Sequence, residues 1–401
     1  MGLAALFAAC ENNENEGPEG PEPREQVGRT VLVYIVGDNG VSELSSLFKV
    51  NFSDMKAGME EVDYSKCNLV VYSEMVNDVP HLISLKQKNG KVVADTLFTY
   101  DEQNPLDKEV MASVISQTVS YFPADSYGFV FLSHSSSWVP ASNNANSRSI
   151  GYYRRTQMNI PDFREALSSA FPKPLKFILF DSCNMQSVEV AYELRDCAEY
   201  FIGSPTEIPG PGAPYEAVVP ALFSQDKPEI NIAESYYTVY AEKYNNGIGI
   251  SNENWTGGVS VSVVKSSELP ALATATKGVL QTAASMQQRA NIDITGILCY
   301  DPLRSKNYHD LMGLMKKIQE NQQAFDNYAH AYQNAVVWKN TTDNNYCTYP
   351  SGYGEMVSMN GFEGLSTYIL RGNDVKQDAY YRQSVEWYSA AGWADVYWQY
   401  S

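Results

Sequence analysis

The sequence predicts an α/β fold in which helices flank both faces of a mostly parallel β-sheet, with a smaller C-terminal α+β subdomain. Two observations support this prediction. Short apolar runs with the length of buried strands recur along the first half of the chain. Segments with helical spacing of apolar residues separate these runs, and such alternation is typical of a parallel sheet with crossover helices.

The elements of the first half follow one another in a regular order. Strands are predicted at residues 30–36, 67–73, 127–133, 175–181 and 199–203. Helices are predicted at residues 41–59, 106–121, 160–170 and 185–196. A hairpin is predicted at residues 81–100, because Asn89 and Gly90 lie between two apolar arms and Asn-Gly favours tight hairpin turns. The polar run at residues 139–156 predicts an exposed loop.

Beyond residue 204 the pattern changes from strand–helix alternation to mainly helical stretches. A Pro/Gly-rich loop at 205–212 precedes helices predicted at 214–224, 229–244, 266–289 and 307–337, and the aromatic-rich segment 345–401 is predicted to contain strands. We therefore divide the chain into four parts. They are a truncated signal at 1–10, a disordered acidic linker at 11–28, the α/β domain at 29–260 and a C-terminal subdomain at 261–401.

The composition indicates a folded protein with an acidic balance of charge. Of its 401 residues, 44% are hydrophobic and 19% are charged, which is typical of a globular chain. The 29 Lys and Arg residues against 47 Asp and Glu residues give a formal net charge of −18. This charge repels nucleic acid and favours basic partners, although a requirement for solubility also accounts for it. We expect a monomer that does not bind nucleic acid.

The N-terminus resembles the end of a bacterial lipoprotein signal. A short apolar run of mostly small residues ends at Cys10, and an acidic segment rich in Asn, Gly and Pro follows. This order predicts that Cys10 carries a lipid and that the acidic segment is a flexible tether. It predicts a location at the bacterial outer membrane or cell surface, with the lipid as the only membrane contact. The alternative is a disordered start with a chance cysteine.

Two predicted strands end in residues suited to nucleophilic chemistry. His134 follows the strand at 127–133, and Cys183 follows the strand at 175–181. Ligand sites of open α/β folds lie at the carboxyl ends of the strands. A thiol attacks a carbonyl group well only as the thiolate, and a neighbouring imidazole lowers its pKa. The two residues therefore predict a cysteine peptidase with a Cys–His dyad.

The surroundings of His134 and Cys183 agree with this prediction. The two residues are 49 positions apart, close to the separation of about 50 in caspases. A helix predicted from Met185 would stabilise a thiolate at Cys183 through its dipole. The backbone amides of Ser135 and Cys183 are candidates for the oxyanion hole. The alternative is structural, because cysteine is commonly buried and a lone histidine often packs at a strand end.

Five segments resemble the clostripain-like cysteine peptidases. They are His134–Trp138, Phe180–Glu189, Tyr121–Gly128, Glu207–Tyr215 and Gly364–Ile369. The resemblance covers nearly all of the folded part, and the segment around Cys183 is the most specific. It implies a caspase-like fold shared with gingipains and legumain, and cleavage after Arg or Lys. Members of such a family often need calcium, although the chemistry itself requires no cofactor, and they often mature by self-cleavage. No segment matches a calcium-binding loop, and the cysteine spacings match no zinc site, so no metal ligand is predicted.

The resemblance also implies roles for individual residues. His134 matches the catalytic histidine of the family and Cys183 its nucleophile. Asp181 matches an acidic residue at the floor of the S1 pocket, where a carboxylate would pair with a basic substrate side chain. Glu207, in the Pro/Gly loop, is a second candidate for this pocket. Self-cleavage is predicted after Arg148, because its surroundings are polar and loop-like.

One departure from the family pattern leaves the function open. The family has Gly directly after its histidine, whereas this chain has Ser135, and Ser137 replaces a second Gly. An oxyanion hole that needs a positive φ at residue 135 would be distorted, because only glycine adopts that conformation readily. The chain is therefore either an active, lipid-anchored peptidase or a weakly active or inactive homologue that serves as a surface binding module. An amidase or transpeptidase on the same scaffold is a third interpretation.

Overall fold

The computed structural model describes residues 23–39, 42–139, 149–154, 156–287, 291–370, 375–396 and 399–400. Its strands in the first half of the chain are β1 (Val27–Val36), β2 (Cys67–Glu74), β3 (His81–Lys88), β4 (Lys91–Thr99), β5 (Ala124–Leu132), β6 (Ile150–Tyr153), β7 (Thr156–Met158), β8 (Phe177–Asp181) and β9 (Tyr200–Gly203). Those in the second half are β10 (Ser260–Lys265), β11 (Asn291–Ile292), β12 (Tyr308–Asp310), β13 (Val336–Thr341), β14 (Asn344–Thr348), β15 (Gly354–Ser358), β16 (Ser366–Tyr368) and β17 (Gln399–Tyr400).

The α-helices lie between these strands and after them. They are α1 (Ser42–Met59), α2 (Lys108–Tyr121), α3 (Ile160–Ala170), α4 (Val188–Glu193), α5 (Tyr215–Leu222), α6 (Pro228–Lys243), α7 (Leu269–Thr282), α8 (Leu311–Ile318), α9 (Gln322–Ala335), α10 (Val375–Ser384) and α11 (Glu386–Ala390).

One nine-stranded sheet forms the centre of the molecule, in the order β13-β10-β9-β8-β5-β1-β2-β3-β4. The five strands from β9 to β2 pair in parallel, whereas β3, β4, β10 and β13 extend the two edges through antiparallel pairs. This arrangement confirms the predicted α/β fold. The carboxyl ends of β1, β5 and β8 are neighbours, so residues that follow these strands meet at one edge of the sheet.

Both faces of the parallel strands are buried, as expected when crossover helices cover a sheet. Successive residues of β1 alternate between two hydrophobic cores: Val31, Val33 and Ile35 lie in one, and Leu32, Tyr34 and Val36 in the other. Helices α1, α5 and α6 cover the first core, and helices α2, α3, α4 and α7 contribute to the second. The continuous apolar runs of the sequence are therefore strands with two buried faces.

The structure differs from the prediction in several places. Helix α4 begins at Val188 instead of residue 185, and the predicted helix at 307–337 is divided into β12, α8, α9 and the start of β13. The segment after residue 345 contains short strands and then the helices α10 and α11. Strands β10 and β13 belong to the central sheet, so the sheet continues across the boundary drawn at residue 260.

Among the described residues, no helix combines the length and the hydropathy that crossing a bilayer requires.

Candidate active site

The strand register puts His134 and Cys183 side by side. Leu132 of β5 pairs with Asp181 of β8 in a parallel ladder. His134 and Cys183 each follow two residues later, on chains that leave adjacent strands about 4.8 Å apart. The residues that the sequence marked as a dyad therefore leave the sheet at the same level.

Three serine hydroxyls tie the ends of β1, β5 and β8 together. The Ser133 hydroxyl donates to Val36 O at 3.2 Å, and the Ser182 hydroxyl donates to Ser133 O at 2.8 Å. The Ser135 hydroxyl donates to the carbonyl oxygen of Cys183. Because Ser133, Ser135 and Ser182 are buried, these bonds are shielded from water and fix the spacing of the strand ends.

The serine that replaces glycine directly after His134 causes no backbone strain at Ser135. Ser135 lies outside the left-handed region, whereas Ser137 has φ 65°. The Ser137 hydroxyl lies 2.7 Å from the Ser187 hydroxyl, which helps to hold this less favoured conformation. Residue 135 therefore does not need the conformation that only glycine adopts readily, and a serine fits there.

Residues 135 and 136 pair with the segment that begins at residue 149. Ser135 forms an antiparallel bridge with Ile150, and Ser136 N donates to Ser149 O at 3.1 Å. This is the pattern of a non-hydrogen-bonded pair, in which the bridge does not use the N–H of Ser135. The Ser135 amide is thus oriented away from the ladder that holds its neighbours.

The segment after Cys183 is a tight turn and not the start of a helix. Asn184 has φ 59°, and its N–H donates to Thr206 O at 2.9 Å. Gln186 N donates to Ser204 O at 3.0 Å, and Ser187 caps the short helix α4. The predicted contribution of a helix dipole at Cys183 is therefore wrong, because α4 has six residues and begins five positions later.

Asp181 is the last residue of β8, and neutral hydrogen-bond donors surround its buried carboxylate. Its carboxylate accepts from Ala213 N at 2.9 Å, from the Tyr215 hydroxyl at 2.8 Å and from the Tyr236 hydroxyl at 3.1 Å. Burial raises the pKa of Asp181 to about 6, although these donors oppose the shift. Gly212, with φ 78°, allows this approach, because a Cβ there would lie 2.8 Å from Asp181 Oδ2.

No basic side chain of the described residues forms an ion pair with Asp181. The charge of this buried carboxylate is therefore compensated by dipoles alone. A cationic group that reached it would remove a desolvation cost as well as gain a charge-assisted hydrogen bond.

Glu207 is engaged elsewhere. Its Oε1 accepts from Arg304 Nε at 2.9 Å, and its Oε2 accepts from the Thr348 hydroxyl at 2.8 Å. Arg304 Nη2 also donates to the Thr348 hydroxyl at 2.5 Å. These contacts fasten the Pro/Gly loop to β14, and they neutralise the carboxylate that the sequence suggested for the S1 pocket.

Two predicted sites, Arg148 and Cys10, lie outside the described residues. Ser149, which follows Arg148, is fully buried, and its N–H donates to Gln157 Oε1 at 3.2 Å. Within the described part of the chain, no three His, Cys, Asp or Glu side chains are arranged to hold a metal ion. The calcium ion that the resemblance implies stays a prediction, and no step below involves it.

Three groups near the site were not anticipated from the sequence. The side-chain amide of Asn39, after β1, lies 3.1 Å from His134 Nε2. The hydroxyls of Tyr215 and Tyr236 reach Asp181 from α5 and α6. The strand-end rule that indicated His134 and Cys183 applies equally to Asn39, whereas no local pattern marks the two tyrosines.

Comparisons with known proteins agree with the geometry. Residues 33–398 match the clostripain family model. A secreted C11 cysteine protease from Bacteroides thetaiotaomicron, solved with an irreversible peptide inhibitor, is 58% identical, with a TM-score of 0.85 over 92% of this chain and 100% of that chain. An inactive zymogen C11 protease from Parabacteroides distasonis is 29% identical, with a TM-score of 0.78 over 92% of this chain and 99% of that chain.

A third solved structure, a B. fragilis cysteine protease, is 44% identical, with a TM-score of 0.56 over 61% of this chain and 97% of that chain. No curated protein matches the sequence significantly.

Proposed function

The chain belongs to the clostripain family of cysteine proteases, and from this membership we propose that it cleaves peptide bonds after Lys or Arg with Cys183 as nucleophile and His134 as its acid–base partner. The observation that carries the proposal is the register of β5 and β8. It puts the two residues at the same level on adjacent strands, behind the paired residues Leu132 and Asp181. A peptide substrate agrees with the peptide inhibitor bound by the B. thetaiotaomicron relative.

The reaction follows from these groups. The Cys183 thiolate adds to the carbonyl carbon, and the negative charge that forms on the carbonyl oxygen accepts hydrogen bonds from the amides of Ser135 and Cys183. The C–N bond breaks as the His134 imidazolium gives its proton to the leaving amine. Water then attacks the acyl-enzyme while His134 takes a proton from it, which releases the acid and restores the thiolate.

Asp181 is the proposed S1 residue. Its buried carboxylate has only neutral partners among the described side chains, so a lysine or arginine side chain of the substrate would supply the missing positive charge. Glu207 already pairs with Arg304, which favours a role in fastening the loop over one in the pocket. We therefore assign basic specificity to Asp181.

The alternative function as an inactive binding module rested on Ser135 and Ser137, which replace two glycines after His134, and on the aromatic-rich C-terminal region. Ser135 lies outside the left-handed region, and the bridge to Ile150 does not use its N–H. An L-residue can therefore serve at this position of the oxyanion hole. This observation favours the active peptidase.

Maturation by self-cleavage after Arg148 is part of the proposal. Ser149 and Ile150 pair with Ser136 and Ser135, the two residues that follow His134. The residues that follow the predicted cleavage position are thus held beside the proposed dyad, which favours cleavage within one molecule. We expect a two-chain product with a new N-terminus at Ser149, at a rate independent of protein concentration; cleavage that accelerates with concentration would contradict this.

The location is proposed to be extracytoplasmic, which agrees with the secreted relative. The lipid at Cys10 is proposed from the sequence alone. Mass spectrometry of the membrane-associated protein from the source cell would detect diacylglycerol on Cys10, and an unmodified Cys10 in that fraction would contradict the anchor.

A fluorogenic peptide assay tests the function. Wild type, Cys183→Ala and the matched control Cys299→Ala are compared on peptides with Lys, Arg or Leu at P1, with calcium and with a chelator. We expect turnover of the Lys and Arg peptides by wild type and Cys299→Ala only. Turnover that survives Cys183→Ala, or absence of turnover and of Cys183 labelling by a lysyl acyloxymethyl ketone, would refute the proposal.

A further inference from the structure

The loop after β1 ends against the proposed catalytic histidine. Asn39 is partly buried, and its side-chain amide nitrogen lies 3.1 Å from His134 Nε2. An imidazole has two ring nitrogens, and the proposed dyad would use Nδ1 toward Cys183 while Nε2 contacts Asn39. The peptidase reaction described above gives Asn39 no role.

Several hydrogen bonds hold the loop that carries Asn39 in place. Gly37 N donates to Glu74 O at 2.8 Å, and Asp38 N donates to Glu74 Oε2 at 3.0 Å. Arg154 binds Asp38 twice, through its backbone N–H to Asp38 O and through Nε to Asp38 Oδ2, both at 2.8 Å. Gly37 is needed for this packing, because a Cβ there would lie 2.8 Å from Glu74 O.

These contacts come from two different elements, β2 and the chain after β6, and they converge on the residue before Asn39. Arg154 has φ 52°, a conformation that is unfavourable for a long side chain. In this conformation Arg154 makes two hydrogen bonds to Asp38, and these bonds fix the position of Asn39, the residue that follows Asp38. Asn39 is therefore presented to His134 by a rigid support.

We propose that Asn39 is a positioning residue that orients His134 and stabilises its protonated form, so that the site works as Cys183, His134 and Asn39. This inference rests on the proposed function. The side-chain amide suits the role because it has a donor at one end and an acceptor at the other. Rotation of the amide by 180° lets it donate to a neutral Nε2 or accept from a protonated one.

The charges around this contact explain why a neutral amide serves here. Asp38 is paired with Arg154, which also contacts Glu102. Burial raises the pKa of Glu74 to about 7, so its carboxyl group carries only part of a negative charge near neutral pH. In the proposed dyad the thiolate of Cys183 is the counter-charge of the imidazolium, and Asn39 adds a hydrogen bond without adding a second anion.

Three variants test the inference: Asn39→Ala, Asn39→Asp and, as a matched control, Asn340→Ala on the exposed surface of β13. The rate of Cys183 alkylation by iodoacetamide is measured from pH 4 to 10, together with kcat and KM on a Lys peptide. Alkylation reports the thiolate–imidazolium pair directly and requires no turnover.

Asn39→Ala should lower kcat by about 10- to 100-fold, as expected for loss of a hydrogen bond to a charged group, with KM changed less than about threefold. Its alkaline limb of alkylation should move to lower pH, because the imidazolium loses its acceptor. Asn39→Asp should move the same limb upward by about one pH unit or more, because an anion favours the protonated ring. Asn340→Ala should behave as wild type.

An Asn39→Ala variant with kcat within twofold of wild type would overturn the inference. So would a loss of kcat with an unchanged alkylation profile, since that result would indicate a general structural effect. If the wild type alkylates as an ion pair but cleaves no peptide, the proposed function fails while the role of Asn39 is still decided by the shift of the profile.

Discussion

Replacement of Asp181 by asparagine separates the chemistry of the proposed S1 pocket from the stability of the fold. The asparagine oxygen can still accept from Ala213 N and the Tyr215 hydroxyl, and its NH₂ group can donate to the Tyr236 hydroxyl. The change therefore removes a negative charge and little else. Activity and stability should respond to it in opposite directions.

The loss of activity follows from burial. Removing one partner of a buried, hydrogen-bonded charge pair costs roughly 2–5 kcal/mol. That range corresponds to a decrease of about 30- to 4,000-fold in kcat/KM for a peptide with Lys at P1. A matched peptide with norleucine at P1, which lacks the ammonium group, should change by less than about threefold.

The gain in stability follows from the pKa of Asp181. Its value of about 6 in the folded protein exceeds the roughly 3.9 of an unfolded chain, so the folded state binds the proton more tightly. Stability from this group is present below about pH 4 and is lost as pH rises through 6. The difference of about two pKa units corresponds to about 3 kcal/mol, which Asp181→Asn should recover at pH 8 relative to pH 4.

The assay pairs kcat/KM on the two peptides with urea unfolding at pH 4, 6 and 8. An equal loss on the Lys and norleucine peptides would refute the assignment of Asp181 to the S1 pocket. A variant whose free energy of unfolding fell further below wild type as pH rose would refute the reasoning about its buried charge.

Three further predictions concern the neighbours of the site. Tyr236→Phe removes a hydrogen-bond donor from Asp181 and thereby raises the pKa of its carboxyl group, so the acid limb of kcat/KM on Lys peptides should move to higher pH. An unmoved limb, or an equal shift in the control Tyr237→Phe, would contradict this. Glu207→Gln should keep the preference for Lys over norleucine at P1 within about twofold of wild type, because Arg304 already neutralises Glu207. A loss of this preference as large as that of Asp181→Asn would instead indicate that Glu207 contributes to the S1 pocket. Trp138→Ala should lower the free energy of unfolding by about 3–5 kcal/mol, since the buried Trp138 ring packs against the ring of Tyr368 with 4.8 Å between their centroids. The control Tyr353→Ala, at a residue that is 81% exposed, should change the free energy of unfolding by less than about 0.5 kcal/mol. Equal effects of the two variants in chemical denaturation would contradict the packing argument.

The parallel centre of the fold was predictable because its signals are local. The runs at 30–36, 67–73, 127–133, 175–181 and 199–203 each lie within or overlap a strand of the central sheet, and the Asn89-Gly90 turn joins β3 to β4. Continuous apolar runs indicate strands with two buried faces, and turn residues have strong backbone preferences. Neither signal depends on contacts between distant parts of the chain.

The edge of the sheet that β10 and β13 form was not predictable in the same way. Strand β13 pairs with β10 across a separation in sequence that includes α7, α8 and α9. The segment 336–341 has exposed positions and directly follows a helix, so its pattern resembles a continuation of that helix. Its state is decided by the unpaired edge of β10, which supplies hydrogen bonds that no local signal records.

The sequence by itself determined the α/β class and the family and indicated the pair His134 and Cys183, because each depends on residues close together in the chain or on the simple rule that parallel strands end at one edge. Only the tertiary structure decided what surrounds that pair. It brought Asn39 to His134, enclosed Asp181 between Tyr215 and Tyr236, and paired Glu207 with Arg304. Each of these contacts joins elements distant in sequence, and the burial that gives a side chain its charge state is a property of the assembled fold.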